Sequence, residues 1–132
     1  MNKTDNLLIS LNITFLLYYA VQLLIYTDEF AINNLGTFNH AIAGLSEIIG
    51  IIFLSFAISL IFILVNTINR QLPLFITIFL IQLLIFINFL RYIFTNSSGD
   101  TTIESITFNT IIFLIGLIVS SIFLFKNFKK LK

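Results

Sequence analysis

The chain contains no cysteine. That excludes disulfides, thiolate metal sites and dithiol redox chemistry. It has one histidine, His40. One histidine makes a weak metal set and cannot supply both ligands of a bis-histidine haem. A place at a helix start or a membrane interface suits it better. No serine–histidine–acid set and no phosphate-binding glycine loop is present. Tryptophan is also missing. Charge is scarce as well: only 10% of the 132 residues are Asp, Glu, Lys or Arg. A soluble domain this small needs far more charge on its surface. These absences leave no catalytic, metal-binding or cofactor-binding residue to assign. The expectation is a protein that is not an enzyme and carries no cofactor.

What the chain has is hydrocarbon: 58% of its residues are hydrophobic, and its mean hydropathy is +1.06. The apolar residues form four runs, 7–26, 41–65, 74–94 and 106–125, each of 20 or more residues. A helix of about 20 residues crosses a hydrocarbon core about 30 Å thick. A membrane strand needs only about 9–11 residues and alternates apolar with polar. These runs are apolar on all sides, so helices are expected. The expected fold is an all-α integral membrane protein, an antiparallel four-transmembrane-helix bundle in one domain, 1–132. Its helices are expected at about 7–26, 41–65, 74–94 and 102–125. The first run is longer than a signal-peptide core and no small-x-small cleavage site follows it, so it reads as a retained helix. Much Ile, Phe, Asn and Lys without Trp points to an AT-rich bacterial genome, hence to the bacterial inner membrane.

The basic residues set an orientation. Six of the seven, Lys3, Arg70, Lys126, Lys129, Lys130 and Lys132, fall on one side of a four-span layout, and only Arg91 falls toward the other. The positive-inside rule places both termini and the loop 66–73 in the cytoplasm. The basic tail 126–132 reads first as a topology signal and second as a contact for anionic headgroups. Asp28 and Glu29 suit the start of a short helix in the first outer loop, with Gly36 at its end. Pro73 suits the first turn of the third long helix. Thr101-Thr-Ile-Glu104 fits a capping box opening the last one.

Polar residues inside the runs fall on stripes. Asn12, Tyr19, Gln22 and Tyr26 share a face of the first helix. His40, Ala43, Gly44, Glu47 and Gly50 line the second, and Asn88 stands one turn from Arg91 on the third. Ser105, Asn109, Gly116 and Ser120 align on the fourth. Small residues let membrane helices approach, and Asn, Gln and Ser bond across the gap at about 0.6 kcal/mol each. The Ser and Gly positions therefore read as bundle contacts. Glu47 differs, because it is the only charge in its run, and a carboxylate at mid-membrane costs about 2.5–3.5 kcal/mol. Arg91 is the only basic residue within any run. Glu47 lies about 9 Å along its helix and Arg91 about 5 Å from the end of the next, comparable depths in one leaflet. The expected site is a polar pocket in the outer leaflet, centred on a Glu47–Arg91 pair. Asn88, Gln22, Tyr26, His40 and Asp100 complete it, and both outer loops roof it.

The segment Gly44-Leu-Ser-Glu47-Ile-Ile-Gly50 resembles the second helix of small bacterial membrane proteins of domain-of-unknown-function family 4345. The resemblance extends over the whole length: four helices, a long first outer loop, a short cytoplasmic turn and a polar second outer loop. Arg91 and Ser98-Gly99-Asp100 look like the family's third-helix Arg and the loop after it. Ile48 stands where the family usually has a basic residue, and Ile51 where it often has a second glycine. The resemblance implies a fold and a conspicuous Glu/Arg pair, and no activity.

The leading expectation is a non-enzymatic membrane protein whose pocket binds a small molecule, a lipid or a partner subunit. The bilayer is its first partner; a homodimer or larger membrane complex is the second, and nucleic acid is not expected. The alternative is a small proton-coupled multidrug-type transporter acting as a dimer, with Glu47 exchanging a proton for substrate. An Arg counter-ion that keeps Glu47 ionised and the missing Trp argue against it.

Overall fold

A computed structural model describes residues 2–96 and 101–132. It is helical throughout, with no strand among the described residues. Five helices follow in order: α1 Lys3–Leu24, α2 Thr27–Leu35, α3 His40–Val65, α4 Leu72–Thr95 and α5 Ile103–Leu131. All but α2 are long and apolar enough to cross a membrane.

The ends of these helices follow local chemistry. Asn39 caps α3 through its side-chain oxygen, which accepts from the Ile42 amide at 2.9 Å. Asp28 and Glu29 fall in the first turn of α2, and Gly36 ends it at φ 71°. That left-handed backbone costs glycine nothing. Pro73 opens α4 as expected, where its missing N–H has no helical acceptor to lose. The cap of α5 is Thr102, whose hydroxyl oxygen accepts from the Ser105 amide at 3.2 Å. The expected box is therefore displaced by one residue: Glu104 lies in the first turn, at the helix's positive end, and not opposite a Thr101 cap.

α1 is the central element, packing against α3 on one side and α5 on the other, while α4 packs on α5. On α3 the buried residues Ser46, Gly50, Phe53, Ala57 and Leu60 recur at steps of four and three. This narrow stripe is small where it meets α1. A Cβ on Gly50 would stand 2.7 Å from Leu24 Cγ and 3.0 Å from Leu23 Cβ. Gly44 is different, with nothing within 4 Å of its missing Cβ, so it is not a contact residue.

The middle of the fold is tied by three polar side chains from three helices. Asn12 Oδ1 accepts from Gln82 Nε2 at 3.1 Å and from Ser120 Oγ at 2.7 Å. Ser120 Oγ also lies 2.6 Å from Gln82 Oε1. One hydroxyl proton serves one of the two oxygens at a time. Gly116, one turn from Ser120, leaves room for the Gln82 amide. The expected stripe on the last long helix thus faces inward, and Asn12 and Tyr19 do so on α1.

Candidate functional site

At the α2 end of the molecule the five helices line a half-open cavity of about 200 Å³. Its wall is aromatic: Tyr19 from α1, Phe30 from α2, Phe53 from α3, Phe89 from α4 and Phe113 from α5. Phe113 holds the set together, with ring centroids 4.9 Å from Tyr19 and 5.6 Å from Phe89. Such tilted and edge contacts suit the ring quadrupoles. Ile49 and Ile85 flank the cavity from α3 and α4.

One edge of the cavity is polar. Tyr19 OH donates to Asn109 Oδ1 at 2.8 Å. Asn109 Nδ2 donates to Asn34 Oδ1 and to the Ser105 carbonyl, both at 2.9 Å. Ser105 Oγ donates to Asn34 Oδ1 at 2.6 Å, and Asn34 Nδ2 donates to the Phe30 carbonyl at 2.9 Å. Asn109 spends both amide protons. Asn34 spends one, which leaves one N–H and the lone pairs of the Tyr19 oxygen for an occupant.

The sequence sets this edge up locally. Ser105 and Asn109 are one turn apart, so both project from the same face of α5. α2 is hung from α1 through Thr27, whose hydroxyl donates to the Leu23 carbonyl at 2.6 Å. α2 packs on α1, α3 and α5, which brings Asn34 to α5. No Asp, Glu, Lys, Arg or His lines the cavity among the described residues. No described side chain there exchanges a proton near neutral pH. Among the described residues, no three His, Cys, Asp or Glu side chains converge on a point that would hold a metal.

The expected site residues lie elsewhere. Glu47, Arg91, Asn88, Tyr26 and His40 are exposed, Gln22 is half-buried, and Asp100 lies outside the described residues. None of them lines the cavity. No ion pair joins Glu47 to Arg91 among the described residues; the ion pairs formed are those of Asp5. Helical phase is the cause. Glu47 follows buried Ser46 by one residue, about 100° round the helix, so it points away from the stripe that packs. Arg91 is nine residues beyond buried Gln82, about 180° round α4, and its guanidinium lies over the neighbouring Tyr92 ring at 4.8 Å. The expectation that both charges turn inward is thereby corrected.

The cavity residues were partly visible as stripe members. Tyr19, Ser105 and Asn109 stand on the polar stripes of their helices, and Asn34 carries no signal because its role depends on where α2 folds. A second residue escaped notice. Asp5 is fully buried, 2.9 Å from Lys126 Nζ and 3.8 Å from Lys130 Nζ, and accepts from Asn127 Nδ2 at 3.1 Å. The expected basic tail 126–132 is a continuation of α5 to Leu131, which is itself buried. The Lys130 carbonyl accepts from the Arg70 amide at 3.4 Å, which joins the α3–α4 connection to the same end.

No family model, no curated protein and no solved structure matches this chain.

Proposed function

We propose that this chain is an integral protein of a bacterial inner membrane that binds a small uncharged molecule in the cavity at its α2 end. The four long helices cross the membrane as an antiparallel bundle, and both termini face the cytoplasm. The orientation rests on Lys3, Arg70, Lys126, Lys129, Lys130 and Lys132, all at the Asp5 end. The cavity then opens in the outer half of the membrane. The resemblance to family 4345 accords with this layout. The role is one of binding, not catalysis.

The observation that carries the reading is the cavity itself: apolar on most sides, polar on one edge, with every helix contributing a residue. Largely apolar pockets with a few convergent polar groups are the usual form of small-molecule sites. The transporter reading needs a carboxylate facing the substrate, and none among the described residues lines this cavity. Reporter fusions after Gly36 and after Lys132 test the orientation, the first giving a periplasmic signal and the second a cytoplasmic one. Native mass spectrometry of protein released from its own membranes tests the binding. Bound mass is expected on the native chain and lost in Asn109→Leu. Equal bound mass on both, or none on either, would overturn the reading.

A further inference from the structure

We infer that the ligand of this cavity is a flat ring carrying an oxygen, attached to or accompanied by hydrocarbon, which enters from the lipid between α3 and α4. The inference rests on the membrane-binding reading above and adds the class of ligand and its route.

Size is the first argument. An apolar cavity of about 150 Å³ holds a benzene ring, so one of about 200 Å³ holds a ring system of about ten non-hydrogen atoms. Wall chemistry is the second. Tyr19, Phe53, Phe89 and Phe113 present ring faces and edges from four helices, and these pack best against another flat ring. The third is the spare hydrogen-bonding capacity. Asn34 has one N–H left over, and the Tyr19 oxygen keeps its lone pairs. An oxygen-bearing ring uses the first as a carbonyl and the second as a hydroxyl. A quaternary ammonium would also suit an aromatic cage, but no carboxylate among the described residues lines the cavity to offset its charge.

Packing gives the route. α3 rests on α1 and α2, and α4 rests on α5. The α3–α4 side is therefore the least closed, and there Ile49 and Ile85 flank the cavity. A tail leaving by that gap meets only hydrocarbon. At the other end of the same two helices a polar-rimmed depression, with Ser59, Asn66 and Gln71, separates them again.

The absence of tryptophan makes the test direct. Ile49→Trp places a single fluorophore at the proposed mouth, and Ile122→Trp places one on the exposed face of α5. Both proteins are reconstituted into phosphatidylcholine vesicles and titrated with 1,4-naphthoquinone. Quenching should saturate for I49W and rise without saturation for I122W. 1-Naphthol should displace the quinone, 1-decanol should not, and Asn34→Leu should raise the half-saturation concentration about tenfold. If decanol displaces as well as naphthol, the cavity binds hydrocarbon and the ring assignment fails while the binding reading stands. If trimethylphenylammonium binds more tightly, the site takes a cation and the assignment also fails. If no probe alters I49W emission differently from I122W, both readings fall.

Discussion

The two ends of this molecule handle polar groups in opposite ways. At the Asp5 end a carboxylate is buried because two lysines and an amide from α5 come to it. Ile68, Phe75, Phe123 and Leu131 are buried at the same end, beside an open depression of about 380 Å³ at Ser59, Asn66 and Gln71. At the α2 end the polar groups lining the cavity are neutral, they satisfy one another along one edge, and the space beside them is empty. A buried charge demands close partners, and a neutral network does not. The buried charge therefore holds its partners close, and the buried amides and hydroxyls leave room for a cavity beside them.

The largest expected effect comes from breaking the charged end. Removing both lysines, K126A with K130A, leaves Asp5 buried without a counter-ion. Losing the partner of a fully buried charge costs about 3–5 kcal/mol. Both lysines are part-exposed here, so a loss near 3 kcal/mol is expected by melting in detergent. Adding Asp5→Asn to that variant should restore most of it. No recovery would mean that the lysines act through packing and not through charge.

Next comes Gly50→Leu, which drives a side chain into Leu23 and Leu24. Overpacking of this kind costs about 1–3 kcal/mol. Gly44→Ala, six residues earlier, should be neutral or slightly stabilising, because nothing crowds it and alanine is the better helix former. Equal losses at the two glycines would show that α1 and α3 do not meet where the structure places them.

Asn109→Leu sharpens the contrast between the ends. It should cost about 1–2 kcal/mol in stability, the scale of a few interhelical hydrogen bonds near 0.6 kcal/mol each, while abolishing retention of ligand. Ser120→Ala, at the middle node, should cost about 1 kcal/mol and leave ligand retention unchanged. A Ser120 variant that loses ligand would show that the cavity and the central node act as one unit.

The smallest expected effect is at Glu47. It is exposed and makes no ion pair among the described residues, so Glu47→Gln should leave the melting temperature of the isolated chain within about 1 °C, as surface changes usually do. A clear fall would bring Glu47 back as an inward group and undo its placement on the outer face of α3.

How much could be read in advance varies by residue. Helix number, the short α2 with its Gly36 end, Pro73 and the inward faces of Asn12, Tyr19, Asn109 and Ser120 follow from run length, turn chemistry and helical spacing. Glu47 departs from the expectation because a lone charge in an apolar run demands a partner only if it faces the interior. Its facing is set by which neighbours of Gly50 pack on α1. Asp5 was overlooked because it precedes the first apolar run, and its partners lie more than a hundred residues away in the chain.

The sequence by itself determined the class of this protein: four helices long and apolar enough to cross a membrane, ends biased in charge, and no residue set for thiol, metal or triad chemistry. Those properties are sums over composition and local period, and folding does not change them. The tertiary structure alone decided which polar groups meet. A helix rotates a side chain by about 100° per residue, so a shift of one position in the packing stripe separates a buried group from an exposed one. That rotation, together with the fold-back of α2 that carries Asn34 onto α5, moved the candidate site from Glu47 and Arg91 to Tyr19, Asn34, Ser105 and Asn109.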